Sequence, residues 1–191
     1  MREKESISIK FNLEDGQSKD RKSTKRMLSD MKGMYLDNNS LELILEKDDV
    51  CVYEFYELGL PEDASHLAYG TTIIYPGKVG NEYFMTKGHF HKKLETAEVY
   101  YCIKGHGFLM MEDINGKVDI QEMNPGISVY VPPGFAHRSV NVSKNEPFIM
   151  FFVFRADAGH NYKSIETKGF RKLVVEKNGK PEIIDNPKWN M

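Results

Sequence analysis

Three histidines and one glutamate in the middle of the chain have the residue types and the spacing of a metal site. His89 and His91 are two residues apart in a strand-like segment, where residues i and i+2 point to the same face. Glu98 begins the next apolar segment, and His137 follows a Pro-Pro-Gly turn at residues 132–134. Three imidazole nitrogens and one carboxylate oxygen suit Fe, Mn, Ni, Co or Zn and leave positions open for a substrate. The pattern therefore predicts metal-assisted chemistry.

The segments that must position these side chains have the pattern of an all-β fold. From residue 50 onward, stretches rich in aromatic and β-branched residues recur, over 51–57, 67–75, 82–85 and 99–103. Two Asn-Gly pairs, at 115–116 and 178–179, predict hairpin turns in which both central positions need φ > 0. Regularly spaced short strands with tight turns favour a single sandwich or barrel over an α/β fold.

We expect two parts, an N-terminal extension over 1–49 that packs on the barrel and a β-barrel domain over 50–191. The basic stretch from Lys19 to Arg26 is more typical of a solvated arm than of a binding patch, and an arm that packs on a neighbouring subunit is the alternative. Within the extension, residues 41–47 are predicted to form a short helix with Ser40 as its N-cap.

Composition limits the classes of partner and compartment. The net charge of −2 over 191 residues argues against binding to nucleic acid or to an anionic membrane. The longest apolar run, 148–154, is far shorter than the roughly 20 residues that span a bilayer, and the N-terminus lacks the apolar stretch of a secretory signal. Cys51 and Cys102 are too few for a disulfide framework. We expect a soluble cytoplasmic protein with buried cysteines, although Cys102 shares strand parity with Glu98 and would alternatively face the metal cavity.

The motifs around the four chemical residues resemble those of a known family. The pattern Gly126-x5-Pro132-x-Gly134-x2-His137-x3-Asn141 matches the second cupin motif at every fixed position, and His-x-His followed by Glu resembles the first. Six residues separate the second histidine from the glutamate, where most cupins have fewer. That spacing is similar to the cupin-type glucose-6-phosphate isomerases of archaea and some bacteria. The likeness extends over nearly the whole chain, through 26–31, 52–54, 71–72, 75–80, 156–160 and 185–189.

The resemblance implies a single cupin barrel, a double-stranded β-helix or jelly roll, that interconverts glucose 6-phosphate and fructose 6-phosphate in glycolysis and gluconeogenesis. It implies one divalent metal ion per subunit, held by His89, His91, Glu98 and His137. Fe²⁺ is the expected ion, with Mn²⁺, Ni²⁺, Co²⁺ or Zn²⁺ as alternatives. Glu98 and His160 are the expected catalytic residues. Glu98 is either a catalytic base as well as a ligand or a ligand alone, because a bound cation depresses its basicity. A hydride shift and a proton transfer through a cis-enediol both remain open.

The resemblance also implies which residues bind the sugar phosphate, namely Tyr53, Thr72, Thr86, Gly88 and Tyr100. Hydroxyl groups and an exposed glycine amide can donate to phosphate oxygens, and Lys87 or Lys93 could add positive charge. Phe154 departs from the family, which commonly has a tyrosine there, so a hydroxyl near the sugar is missing. A homodimer is expected by analogy with the family. A cupin dioxygenase and a sugar-sensing cupin domain are the rival functions.

Overall fold

Strands dominate the computed structural model, which describes residues 6–189. The strands are β1 Thr24–Met27, β2 Cys51–Leu58, β3 Leu67–Ile74, β4 Lys78–Val79, β5 Glu82–Tyr83, β6 Phe90–His91, β7 Glu98–Lys104, β8 Gly107–Asp113, β9 Val118–Met123, β10 Ser128–Val131, β11 Phe135–Asn141, β12 Phe148–Arg155, β13 His160–Asn161, β14 Lys172–Lys177 and β15 Lys180–Asp185. Two short α-helices, α1 Asn38–Leu45 and α2 Lys163–Lys168, and the 3₁₀ turns Leu28–Met31 and Pro187–Trp189 accompany them. The predicted all-β class is confirmed. No helix within residues 6–189 has the length and apolarity needed to cross a membrane.

Two antiparallel sheets form the barrel predicted for a cupin. The larger has the strand order β1-β2-β3-β12-β7-β10, and the smaller has the order β11-β8-β9. The segment 84–91 lies beside β11, because Thr86 N donates to Ser139 O and the backbones of His89 and His137 bond to each other. Apolar side chains of both sheets share one core, which includes Val52, Ile74, Leu109, Val140 and Met150. A four-stranded sheet of β15-β14-β5-β4 adjoins the barrel.

The long apolar run near the C-terminus is the central strand of the larger sheet. β12 pairs with β3 on one side and β7 on the other. Its inner residues line the barrel, whereas Ile149 packs outside against Ile73 and Phe11. The N-terminal segment covers this outer face further, since Thr71 Oγ1 donates to Gly16 O over 2.6 Å. Burial of both faces explains why β12 lacks the alternation of apolar and polar residues.

The N-terminal residues contribute strand, helix and core. Part of the basic stretch forms β1, an edge strand that pairs with β2, rather than a solvated arm. Leu28 and Tyr35 are fully buried in the barrel core. Helix α1 begins at Asn38, and its N-cap is Asp37, whose carboxylate accepts from Ser40 N over 2.9 Å. The prediction of Ser40 as the N-cap is therefore wrong, because the aspartate three residues earlier takes that role.

The two Asn-Gly pairs differ in conformation. Asn178 and Gly179 have φ values of 53° and 76°, as the hairpin prediction requires. At the other pair only Gly116 has positive φ, so the prediction for Asn115 is wrong. The loop there is longer, because Asp113 Oδ1 accepts from the N–H groups of residues 115 and 117. A longer hairpin loop needs a left-handed residue at a single position.

Candidate metal centre and sugar-phosphate cavity

The structure brings together the four residues predicted as metal ligands. One ligand atom from each of His89, His91, Glu98 and His137 lies within 4.8 Å of all the others. Oε2 of Glu98 is 3.1 Å from Nε2 of His91 and 3.0 Å from Nε2 of His137. His91, Glu98 and His137 are 4%, 3% and 2% exposed, and His89 is partly exposed. The cluster is thus compact and largely shielded from bulk water.

Strand geometry explains why these residues meet. The segment carrying His89 and His91 runs antiparallel to β11, and His89 exchanges both backbone hydrogen bonds with His137, over 3.2 and 3.1 Å. Gly134, with φ of 81°, turns the chain just before β11. Glu98 is the first residue of β7, and β7 belongs to the larger sheet. Ligands from two sheets therefore face one another across the barrel interior.

Thr96 fixes the orientation of His91 and was missed by the sequence analysis. Nδ1 of His91 lies 3.2 Å from the Thr96 carbonyl oxygen and 2.8 Å from Thr96 Oγ1. The threonine hydroxyl in turn donates to Lys93 O over 2.7 Å. When Nδ1 donates to the carbonyl, the lone pair of Nε2 faces the cluster, as a metal ligand requires. The long spacing between His91 and Glu98 thus contains the residue that orients the histidine.

The donor set fits a divalent cation. Nε2 of His89 is buried and has no hydrogen-bond partner among the described residues, and Nε2 of His137 is buried beside the Glu98 carboxylate. Burial, and then His137, lower the pKa of His89 well below its usual value, so that this imidazole is neutral. Burial alone would raise the pKa of Glu98, but the neighbouring imidazoles, His137 first, bring it below its usual value. A neutral imidazole and an ionised carboxylate are the states that bind a metal ion.

A cavity of about 320 Å³ lies beside the cluster, and its wall contains every residue predicted to bind the sugar phosphate. The predicted residues that line it are Tyr53, Thr72, Thr86, Gly88, His89, Glu98, Tyr100, His137 and His160. His91 does not line the cavity, and its Nε2 lies 3.1 Å from Oε2 of Glu98, which does. Burial, and then the Glu98 carboxylate, raise the pKa of Tyr100 well above its usual value, so its hydroxyl keeps its proton and can donate. The cavity thus joins hydroxyl donors to the histidine cluster.

Two hydrogen bonds near the cavity leave other groups available to donate to an anion. Thr86 Oγ1 accepts from Ser139 N over 3.1 Å, which leaves the threonine O–H available to donate. Arg138, fully buried outside the cavity wall, donates from Nη2 to Lys87 O over 2.6 Å. Because the peptide is trans, the N–H of Gly88 points to the side opposite the Lys87 carbonyl, away from Arg138, and Gly88 itself lines the cavity.

Gly88 could not be replaced without strain. Its φ is +73°, and a Cβ there would lie 2.6 Å from Cε2 of Phe170.

The two lysines that were expected to add positive charge at the phosphate lie outside the cavity. Neither Lys87 nor Lys93 lines the cavity, and Lys93 forms an ion pair with Asp157.

His160 lies next to the cluster. In β13 it pairs with His91 of β6, and its ring centroid is 4.3 Å from that of His89. Burial lowers its pKa below 6.5. Arg155 stabilises the turn before His160, because its Nε donates to Asp157 Oδ1 over 2.6 Å.

Phe154 also lines the cavity, and its ring centroid is 5.5 Å from that of His160. A tyrosine at this position, as is common in the family, would therefore place its hydroxyl group in the cavity.

Four polar residues of the cavity wall were not predicted, Arg26, Glu57, Ser139 and Tyr162. The period-2 pattern of β2 would have found Glu57, since it shares a strand face with Tyr53. Burial, and then Glu98, raise the pKa of Glu57 to about 7. Arg26 reaches the cavity through the pairing of β1 with β2, which no local pattern indicates.

Comparison with known proteins identifies the family. A sequence model of the family described as glucose-6-phosphate isomerase (GPI) matches residues 25–189. A solved structure of oxalate oxidase in complex with a substrate analogue, glycolate, has a TM-score of 0.49 and 16% identity, and covers 60% of this chain and 56% of that chain. The glucose-6-phosphate isomerase of Thermococcus litoralis is 46% identical over 191 residues, covering 100% of both chains. That of Pyrococcus furiosus is 45% identical over 186 residues, covering 97% of this chain and 98% of its own. The chain therefore belongs to the glucose-6-phosphate isomerase family.

Proposed function

We propose that this protein is a metal-dependent aldose–ketose isomerase that interconverts glucose 6-phosphate and fructose 6-phosphate. The observation that carries the proposal is the convergence of four ligand-type side chains, one with an unpartnered buried nitrogen, beside a cavity lined with hydroxyl groups. Family membership supplies the reaction and the substrates. The rival dioxygenase and sugar-sensing functions do not account for the phosphate-type donors in the same cavity.

His89, His91, Glu98 and His137 would hold the ion, and Fe²⁺ is our proposed metal. When bound, a divalent cation would polarise the carbonyl group of the open-chain sugar and stabilise the negative charge that develops on its oxygen. The protein contributes a rigid donor set, since all four side chains start from strands or strand-like backbone. Thr96 would keep His91 in the tautomer that presents Nε2.

The chain's own residues would move the hydrogen and orient the sugar. In the proton-transfer route, a base removes the proton at C2 of the aldose and returns it to C1, while O2 gives up its hydroxyl proton and O1 takes one up. In the hydride route, the hydrogen moves directly from C2 to C1 with its electron pair, and a proton again leaves O2 and is delivered to O1. Glu98 and His160 both line the cavity and are our candidates for the proton steps, including ring opening. Isomerisation in D₂O tests for the proton-transfer route, because deuterium bound to C1 or C2 of the sugar requires that the proton exchanged with solvent while it was held by a base.

The remaining cavity residues would bind the rest of the substrate. We propose that Thr72, Thr86 and the Gly88 amide donate to the phosphate, and that Tyr53 and Tyr100 line the sugar. The contacts described above support this assignment, because the Thr86 hydroxyl and the Gly88 N–H are both left available to donate. Hydroxyl and amide donors to an anion are among the stronger hydrogen bonds in proteins.

The decisive experiment is a coupled assay for glucose 6-phosphate formation from fructose 6-phosphate. Protein stripped with EDTA should be inactive and should regain activity when one of Fe²⁺, Mn²⁺, Ni²⁺, Co²⁺ or Zn²⁺ is added. His137→Ala should abolish both metal binding and activity while leaving the far-UV circular dichroism spectrum unchanged. His106→Ala is the matched control, since His106 pairs with Glu122 outside the cavity. Full activity after chelation, or in His137→Ala, would contradict the proposal.

We further propose that the protein acts in the cytoplasm, in glycolysis and gluconeogenesis, as a homodimer. The outer face of β7 and β10 supports dimerisation, because Tyr101 and Tyr130 are 44% and 58% exposed there and lie beside the 43%-exposed Ile127. Exposed aromatic groups on an edge strand are typical of an interface. Light scattering at micromolar concentration should give the mass of a dimer, and a monomer alone would contradict this part.

A further inference from the structure

We propose that Arg26 binds the phosphate group of the substrate and supplies the positive charge that the other phosphate donors lack. The inference rests on the proposed function, since it takes a sugar phosphate as the occupant of the cavity. It assigns a substrate-binding role to the N-terminal residues, which also contribute strand β1 and part of the barrel core.

The sheet places Arg26 beside the predicted phosphate donors. Arg26 lies on β1 directly opposite Tyr53 on β2, and both line the cavity together with Thr72 and Thr86. The neighbouring residue Lys25 pairs with Glu54 and is exposed, so the alternation of strand faces separates the two basic side chains. The arginine therefore reaches the cavity wall because of its position in the register of β1.

The charges of the cavity wall favour this role. Among the described residues that line the cavity, Arg26 is the only lysine or arginine, while Glu57 and Glu98 carry carboxylates. The threonine hydroxyls and the glycine amide are neutral donors, and they leave the charge of a phosphate uncompensated. Without a cation, two carboxylates in the same cavity would oppose binding of a phosphorylated sugar. The positive charge of a guanidinium on the wall would offset the repulsion between these carboxylates and the phosphate.

The Arg26 guanidinium has N–H groups that remain available to donate to a ligand. Within residues 6–189 it donates from Nη1 to the carbonyl of Lys25 over 3.3 Å, lies within hydrogen-bonding reach of the Tyr53 hydroxyl, and forms no ion pair with an acidic residue. An arginine has five N–H donors in a planar fork that matches two phosphate oxygens. Its position opposite Tyr53 places the guanidinium close to that phenol, whose pKa burial raises to about 12 and the Arg26 charge works to lower. The cation thus faces the same space as the tyrosine.

The test compares phosphorylated with unphosphorylated ligands. Arg26→Met should raise KM for fructose 6-phosphate and the inhibition constant of inorganic phosphate in parallel, each by about 10- to 100-fold, the loss expected for a hydrogen bond to a charged group. The metal content and the affinity for sorbitol, measured by calorimetry, should not change, whereas affinity for sorbitol 6-phosphate should fall with KM. Arg26→Lys keeps the charge without the fork and should show a smaller rise in KM. Lys25→Met removes the same charge from the other strand face and should match the wild type.

Several outcomes would overturn the assignment. An inhibition constant for inorganic phosphate that is unchanged in both Arg26→Met and Arg26→Lys would do so. Equal losses for sorbitol and sorbitol 6-phosphate would indicate a structural effect on the whole cavity rather than phosphate binding. Failure of the proposed function gives a different result, because wild-type protein would then not isomerise fructose 6-phosphate with any metal. In that event, loss of phosphate binding in Arg26→Met would still support an anion site at Arg26.

Discussion

The ionisation of Glu57 offers a direct test of the electrostatics of the cavity. This glutamate lines the cavity from β2, and burial, followed by repulsion from Glu98, raises its pKa from 4.5 to about 7. We predict that Glu57→Gln stabilises the metal-free protein at pH 8 and has little effect on its stability at pH 4.5. The substitution keeps the shape of the side chain and removes only the charge.

The sign follows from linkage between proton binding and folding. Because the pKa is higher in the folded protein than in the unfolded chain, the folded state holds the proton more tightly. The stability linked to this proton is fully present below pH 4.5 and is lost as the pH rises to about 7. A pKa raised from 4.5 to about 7 corresponds to about 3 kcal/mol at full strength. Glu57 keeps partial contact with solvent, which screens the charge, so we expect about 1–2 kcal/mol at pH 8.

Urea denaturation of EDTA-treated protein at pH 4.5, 6 and 8 would measure this effect. The difference in free energy of unfolding between Glu57→Gln and wild type should grow with pH across this range. Glu46→Gln, an exposed residue just after α1, removes a charge far from the cavity and should give the same small difference at every pH. A difference for Glu57→Gln that is independent of pH would refute the reasoning, since it would mean that the carboxyl group titrates alike in both states.

Two further predictions concern residues around the cluster. Thr96→Val should lower metal affinity about 10- to 100-fold in a calorimetric titration. The valine removes the hydroxyl group that contacts Nδ1 of His91, and it also removes the hydrogen bonding of that hydroxyl, which holds the Thr96 carbonyl group in place. An unchanged affinity would mean that the imidazole is held by packing alone. Phe154→Tyr should lower KM for fructose 6-phosphate about 2- to 10-fold, since a net hydrogen bond contributes about 0.5–1.5 kcal/mol and the ring already lines the cavity. A rise in KM would show that the added hydroxyl clashes with the sugar.

Local sequence patterns were sufficient for most of the fold. Strands β2, β3 and β7 lie within a residue of the segments predicted from aromatic and β-branched content. The errors arose where two nearby groups could play the same part. Asp37 and Ser40 can both cap a helix, and the difference lies in which side chain reaches the free N–H groups. Likewise, Asp113 stabilises a longer loop before Gly116 than the Asn-Gly pair alone would indicate.

The cavity shows where prediction from local pattern ends. The metal-ligand residues could be predicted because the positions of His89 and His137 follow from strand periodicity and from the turn residues next to them in the sequence. Arg26 enters the same cavity for a different reason, since its position depends on the pairing of β1 with β2 and on the register of that pairing. A shift of one residue between β1 and β2 would exchange Arg26 for Lys25 at the wall, with no change in composition or local pattern. The charge balance of the cavity is therefore a property of strand pairing, and a substitution that alters this register should change phosphate affinity even if every residue of the metal cluster stays in place.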